Sequence, residues 1–181
     1  MAKIAIDVIT RQGPTVLLEQ LADRLGFVRT SVRLYAALIS RIADQEPVEC
    51  GPTYGELLSI QLDELRRLEL LCEAIAGLGV DPLEVVPADN LEALAVLEIV
   101  MDPQVSLPQA LQAILNIEIT NNNSWRMLIS LAQATGHREL AVRIYETLRD
   151  EDRHLARMRS WSIQEPRLPA PRLDLEPLAA S

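Results

Sequence analysis

Apolar residues recur at steps of three and four along four long stretches of the chain, and polar breaks separate the stretches. This period is typical of amphipathic helices that pack one face into a core. The pattern predicts helix A from about Thr15 to Ala43, helix B from Thr53 to about Leu78, helix C from about Leu107 to Ala134, and helix D from Arg138 to Ile163. The core-facing stripe of helix A consists of Leu21, Leu25, Val28, Val32, Tyr35, Ile39 and Ile42. The pattern favours an all-α fold.

Sequence signals for helix starts and ends bracket these stretches. Thr53 with Glu56, and Ser106 with Gln109, have the S/T-x-x-E/Q spacing of a capping box, in which two side chains satisfy free backbone amides at a helix start. Gly136 follows helix C, and the short join to helix D predicts that these two helices are antiparallel neighbours.

The segment from Val80 to Ser106 is long for a loop, and it contains a short helical run from Asn90 to Met101 with prolines on both sides. A connection of this length suits a crossover between parallel helices better than a tight turn between antiparallel ones. Helices B and C are therefore predicted to be parallel, with a structured helical crossover between them.

The length of 181 residues suits one domain with a sizeable core. We predict an N-terminal arm at residues 1–13, a helical bundle at residues 14–163 and a proline-rich tail at residues 164–181. Within the arm, Lys3 to Ile9 fits either an extended segment or a helical lead-in. The tail lacks a helical period and is predicted to be a solvated end, with a docking segment for a partner subunit as the alternative.

Composition and charge narrow the function classes. Hydrophobic residues make up 49% of the chain and aromatic residues 3%, a balance more typical of leucine-rich helices than of sheets. The net charge of -9 argues against nucleic acid as a partner, since binding to phosphates needs clustered Lys and Arg. No signal peptide or membrane span is visible, and Cys50 and Cys72 are interpreted as small hydrophobes rather than a disulfide. These features predict a cytoplasmic protein.

Three glutamates occupy positions on core-facing stripes where leucine would be expected: Glu64, Glu118 and Glu151. The stripe of helix C reads Leu107, Leu111, Ile114, Glu118, Asn121, Trp125, Leu128 and Ala132. His154 follows Glu151 by three positions and so lies on the same helix face. Because a buried lone carboxylate costs several kcal/mol, three that converge on one interior need metal ions, arginines or protons.

Four segments of the chain resemble the ferritin-like superfamily, and especially a bacterial group of small ferritin-like domain proteins. They are FVRTSVRLYAALI in helix A, DELRRLELLCEAIAGLGVDP in helix B, LPQALQAILNIEITNNNSWRMLISLA in helix C and LRDEDRHLARMRSW in helix D. The resemblance implies a ferritin-like four-helix bundle with a crossover between helices B and C, a carboxylate site for two irons in its interior, and a homo-oligomer. It also implies that Glu118, Glu151 and His154 correspond to ligands of that site.

Two positions depart from the pattern of the superfamily. Val28 stands seven residues before Tyr35, where the helix-A glutamate is expected, and the other plausible position is Ala36. Glu64 is present in helix B, but Arg67 stands where the Glu-x-x-His motif needs a histidine. Arginine does not give up its proton and cannot ligate a metal. The resemblance therefore implies a degenerate site that does not hold two irons in the usual way.

Several arrangements would balance the charge of three glutamates and one arginine. Our preferred hypothesis is that Arg67 replaces a metal cation and pairs with Glu118 or Glu151 in a buried polar network. One divalent ion, iron or manganese, on Glu118, Glu151 and His154 is an alternative, as is a protonated His154 beside a neutral glutamate. A two-metal site with other ligands, and glutamates that lie off-centre as solvated helix residues, are the remaining alternatives.

These hypotheses lead to two function classes. In the first, the chain is a ferritin-like protein without a functional di-iron centre, which acts structurally or through a partner, including one bound by its tail. In the second, it is a metal-binding protein or oxidoreductase with an altered one- or two-metal site at Glu64, Glu118, Glu151 and His154. Enzymatic activity stays open at this point.

Overall fold

A computed structural model describes residues 2–43, 51–85 and 90–162, with side chains described from residue 15 onward. It contains five helices: α1 Ala2–Ala43, α2 Tyr54–Gly77, α3 Leu91–Met101, α4 Leu107–Ala134 and α5 Arg138–Ser162. No strand occurs in these residues. The prediction of an all-α fold is confirmed, and α1, α2, α4 and α5 correspond to the predicted helices A to D.

The local signals for helix starts and ends act as the sequence predicted. Both capping boxes form, with the Thr53 side chain accepting from the backbone N–H of Glu56 and the Ser106 side chain from that of Gln109. The hydrogen bonds from Thr53 hold the pKa of Glu56 below its usual range. Gly136 has a φ of 85°, a left-handed conformation that suits glycine, and it joins α4 to α5.

The start of α1 differs from the prediction. α1 begins at Ala2 rather than near Thr15 and continues through Gly13 and Pro14, so residues 3–9 adopt the helical one of their two predicted alternatives. A proline inside a helix removes one backbone hydrogen bond, but the helix can continue beyond it with a local bend. The predicted tail at residues 164–181 lies outside the described residues, and the division into arm, bundle and tail stays a prediction.

Two apolar clusters define how the four long helices run. The first joins the part of α1 around Leu17 to the C-terminal halves of α2 and α4 and the N-terminal half of α5. The second joins the part of α1 around Leu38 to the opposite halves of those three helices. α1 and α5 therefore run in one direction, and α2 and α4 in the other. α3 packs against α1 and α4 and lies in the chain between the parallel helices α2 and α4.

Between the two clusters lies a layer of buried polar side chains, which we call the polar layer. Its members are Arg24, Tyr35, Glu64, Arg67, Glu118, Asn121, Glu151 and His154. The apolar clusters close this layer at both ends, so its charges have little access to water. No described helix combines the length and apolarity that crossing a bilayer requires.

Candidate functional site

Each long helix contributes two side chains to the polar layer, three residues apart on α2, α4 and α5 and eleven residues apart on α1. α2 supplies Glu64 and Arg67, α4 supplies Glu118 and Asn121, α5 supplies Glu151 and His154, and α1 supplies Arg24 and Tyr35. The three glutamates are all buried, and they converge on one interior. The alternative that they are solvated helix residues is wrong.

Arg67 lies at the centre of this arrangement. Its Nη1 donates to Oε1 of Glu64, and its Nη2 forms an ion pair with Oε2 of Glu151 at 2.8 Å. Burial alone would lower the pKa of Arg67, but the charges of Glu64, Glu151 and Glu118 outweigh it and raise that pKa above its ordinary value. The guanidinium is therefore a fixed cation, and its predicted pairing is with Glu151 rather than Glu118.

Glu118 is held by donors other than Arg67. The Tyr35 hydroxyl donates to its Oε1 at 2.9 Å, and Nδ2 of Asn121 donates to its Oε2 at 3.2 Å. Burial and the charge of Glu151 raise the pKa of Glu118 to about 7, although Arg67 and the two donors act in the opposite direction. Burial also raises the pKa of Tyr35, so its hydroxyl keeps the proton that it donates.

Asn121 links the two sides of the polar layer. Its Nδ2 donates to Oε1 of Glu151 at 2.7 Å, and its Oδ1 accepts from Nη1 of Arg24 at 2.9 Å. Arg24 also pairs with Asp23 at 2.8 Å. The amide of Asn121 therefore connects a carboxylate on α5 to a cation on α1. It can do so because Asn121 lies on the core-facing stripe of α4.

Glu64 is the least satisfied carboxyl group of the layer. Its Oε1 accepts from Arg67, but its Oε2 is buried and has no hydrogen-bond partner in the described part of the chain. Burial raises the pKa of Glu64 well above its usual range, and the nearby charge of Arg67 offsets this only in part. Protons on Glu64 and Glu118 would leave the Arg67 and Glu151 charges to cancel each other.

His154 is held between Arg67 and Asp63. Its Nδ1 lies 3.3 Å from Nη2 of Arg67, and its Nε2 lies 3.0 Å from Oδ2 of Asp63. Because a guanidinium only donates hydrogen bonds, Nδ1 must be the acceptor, and the ring proton on Nε2 is donated to Asp63. In this tautomer His154 links α5 to α2 through both ring nitrogens.

Sequence reasoning missed two members of the site, Arg24 and Asp63. Arg24 stands one helical turn before Val28 and shares its face, and Asp63 stands one turn before Arg67. Those spacings are the signals that could have indicated them. Val28 is buried at the layer while Ala36 is exposed, so α1 presents valine where the resemblance implies a carboxylate.

One group of side chains has the composition of a metal site. Glu64, Glu151 and His154 each offer a ligand atom, and these atoms lie within 4.8 Å of one another. Two carboxylates and an imidazole suit several divalent metals, so this buried cluster could hold one ion. Glu118, which the sequence grouped with Glu151 and His154, is not part of that group.

The residues do not fit a two-metal centre. The core-facing positions of α1 provide no carboxylate at the layer, and the second position of the α2 motif is Arg67. Arg67 also contacts Glu64, Glu151 and His154, and an ion bound by those three would have to displace its guanidinium. The positive charge that a metal would bring is already supplied by the chain itself.

The chain was compared with protein-family models, curated proteins and solved structures. No protein-family model, no curated protein and no solved structure matches the chain. The resemblance to the ferritin-like superfamily therefore stays a prediction from the residues that carry it.

Proposed function

We propose that this chain is a ferritin-like protein in which the guanidinium of Arg67 takes the place of a metal cation, and which acts structurally or through a partner rather than as a di-iron oxidoreductase. The observation that carries the proposal is the position of Arg67, which bridges Glu64 and Glu151 in the buried layer. A carboxylate site that holds its own cation keeps the helices in register without iron.

The chemistry of arginine supports this substitution. Its planar donors match carboxylates at two points, and it carries its charge at every physiological pH. The charge of Arg67 would repel a divalent ion close to it. Val28 stands where a carboxylate ligand is expected, so the site has one negative ligand fewer to outweigh this repulsion. Oxygen chemistry of the di-iron kind needs two metals, for which this set of side chains is too small.

The first experiment measures metal in the wild-type protein. The chain is purified without chelators from cells grown with iron and manganese, and metal content is determined by mass spectrometry. We expect well below one iron or manganese ion per chain. About two ions per chain would overturn the proposal.

The second experiment restores the missing ligands. Val28→Glu combined with Arg67→His supplies the carboxylate on α1 and the imidazole on α2, and we expect this double variant to bind iron or manganese. Val28→Glu combined with Arg66→His is the matched control, since Arg66 is the exposed neighbour of Arg67. If the first variant folds and stays as free of metal as the control, the helices do not converge as a ferritin-like site.

A second candidate function is a metal-binding protein with one divalent ion, iron or manganese. The free Oε2 of Glu64 and the close grouping of Glu64, Glu151 and His154 favour it. It requires Arg67 to swing away from the cluster. One ion per wild-type chain, lost in His154→Gln, would establish it.

A further inference from the structure

Partly exposed apolar side chains of α1 and α2 lie at the surface where these two helices pack against each other, and we call this strip the groove. α2 contributes Leu58, Leu62 and Leu65, of which Leu62 is 46% exposed and Leu65 is 43% exposed. α1 contributes Val32 and Ala36, and a hydrogen bond from Gln61 to the Val32 carbonyl fixes the two helices side by side here. Two exposed leucines one turn apart leave this groove without cover.

Leu68, one turn after Leu65 on α2, lines a cavity of about 410 Å³ toward the N-terminal side of α1. Its lining includes Leu25, Leu68, Cys72, Leu83 and Val85, with Arg29 as its one charged side chain. Burial raises the pKa of the Cys72 thiol, and the charge of Arg29 partly opposes that rise. The cavity is therefore an apolar space with a cation close to its thiol.

The α1 side of the groove carries only positive charge. Arg29 and Arg33 are both exposed, and no acidic residue occurs between Gly26 and Ala43. Neither arginine forms an ion pair with a side chain that the structure describes. In a chain with a net charge of -9, this groove is an unusual combination of leucines and unpaired cations.

We propose that the C-terminal segment Leu173 to Leu178, with the sequence LDLEPL, docks in this groove of its own chain. The segment alternates leucines with two acidic residues and contains no basic residue. Side chains alternate in an extended segment, so Leu173 and Leu175 face the groove while Asp174 and Glu176 face the arginines. Leu178 follows Leu175 by three residues across Pro177, a spacing that brings it back to the groove side in the polyproline II form. This interaction is independent of the function proposed for the polar layer.

The spacing of charges on the two partners agrees. Arg29 and Arg33 are four residues apart on a helix, which separates them by about 6 Å along its axis. Asp174 and Glu176 are two residues apart, which separates them by about 6 to 7 Å in an extended chain. Each acidic residue can therefore pair with one arginine at the same time.

The direction and the reach also agree. Trp161 of α5 shares an apolar cluster with Leu38 of α1, so the tail begins at the end of the bundle where α1 ends. From there it meets Arg33 first and Arg29 second, in the order of Asp174 and Glu176. The twelve residues from Ser162 to Asp174 reach about 37 Å in a proline-rich extended form, enough to pass two helix widths of about 10 Å. Leu178 then arrives at the cavity that contains Cys72.

Cys72 makes the docking measurable in the full chain. In a Cys50→Ser background, alkylation by N-ethylmaleimide reports the access to Cys72 alone. We expect Leu175→Asp with Leu178→Asp to speed this reaction about tenfold, because the segment leaves the cavity. Leu168→Asp is the matched control, since it changes a tail leucine before the docking segment and is expected to leave the rate unchanged. Equal rates for all three chains would overturn the proposal.

A charge exchange tests the pairing itself. Arg33→Glu is expected to speed alkylation about as much as the leucine variants, and Arg33→Glu with Asp174→Arg is expected to restore protection. Arg33 is chosen because the charge of Arg29 acts on the Cys72 thiol directly and would change its reactivity. If the exchanged pair is as open as Arg33→Glu alone, the pairing is not the one proposed.

A crosslink distinguishes the chain's own tail from that of a second copy. Leu178→Cys in the Cys50→Ser background is oxidised with oxidised glutathione and run on a non-reducing gel. We expect a disulfide with Cys72 within one chain, which gives a monomer band of altered mobility. A disulfide-linked dimer, or no crosslink, would overturn docking within the same chain.

Discussion

Two arginine–glutamate pairs join α2 to α5, one in the interior and one at the surface. Arg67 and Glu151 are 2.8 Å apart, with side chains that are 2% and 1% exposed. Arg143 and Glu73 are 2.6 Å apart, with side chains that are 42% and 54% exposed. The helices and the residue types are the same, and the distances are similar, so the surroundings of the two pairs are what differ.

The difference shows what an ion pair does in each place. At the surface, water screens both charges, and loss of the pair exposes nothing that water cannot solvate. In the interior both charges have lost their water, so each depends on the other and on its remaining hydrogen bonds. The attraction between the two interior charges need not exceed the free-energy cost of removing them from water. It makes any arrangement of α2 and α5 that separates the charges costly, which fixes the register of these helices.

The largest effect is expected from breaking the interior pair. Arg67→Met keeps the approximate shape of the side chain but leaves Glu64 and Glu151 without their cation. Removal of one partner of a buried pair typically costs about 3 to 5 kcal/mol. We expect a loss of that size in the free energy of unfolding, measured by urea denaturation at neutral pH.

Arg66→Met is the matched control for this substitution. Arg66 is the exposed neighbour of Arg67 and pairs with Oδ1 of the partly buried Asp63, whose Oδ2 contacts His154 without Arg66. We expect it to change the free energy of unfolding by no more than about 0.5 to 1 kcal/mol. Similar losses for both variants would show that the interior pair is no more important to the fold than a surface one.

A smaller effect is expected from pH, because the interior charge balance involves a proton on Glu118. The pKa of Glu118 is about 7 in the folded protein against an ordinary value of 4.5, so between these values the folded state binds more protons than the unfolded state. The free energy of unfolding therefore falls as pH rises through this range. The full contribution of this group is about 3 kcal/mol.

Glu118→Gln removes that titration while keeping an oxygen that accepts from Tyr35. We expect the fall in stability from pH 4.5 to pH 7 to be clearly smaller in this variant, with a remainder from Glu64, whose pKa is also raised. Glu56→Gln is the control, since the pKa of Glu56 is lowered and its contribution lies below this range. An unchanged slope in Glu118→Gln would contradict the role given to its proton.

The sequence was sufficient for features that depend on residues close together in the chain. Helix periods located the five helices apart from the start of α1, and the capping boxes at Thr53 and Ser106 formed as predicted. Burial of Glu64, Glu118 and Glu151 followed from their places on apolar stripes, because a helix that buries its stripe must bury what stands on it. The length of the segment before Ser106 was enough to predict parallel helices.

Features that depend on packing between helices could not be predicted in the same way. His154 and Asp63 are 91 residues apart in the chain, and Tyr35 and Glu118 are 83 residues apart. Which carboxylate Arg67 reaches depends on helix rotation and on side-chain rotamers, neither of which a stripe specifies. The sequence therefore could not decide whether Arg67 pairs with Glu118 or with Glu151. It also could not show that Glu64, rather than Glu118, lies beside Glu151 and His154 in the cluster that could hold an ion.

The smallest effect is expected at the surface pair. Arg143→Gln removes the charge that faces Glu73 but leaves both side chains in water, so we expect a loss of about 0.2 to 1 kcal/mol in the free energy of unfolding at low salt. The distance over which salt screens exposed charges, the Debye length, is about 10 Å at 0.1 M salt and about 3 Å at 1 M. The difference between Arg143→Gln and wild type should therefore shrink at 1 M salt. The loss caused by Arg67→Met should change far less, because the side chains of Arg67 and Glu151 are almost fully buried. Urea denaturation of both variants at the two salt concentrations measures this contrast. Equal salt dependence in the two variants would mean that water reaches Arg67, and that the interior and the surface of this interface are not as different as their exposed fractions imply.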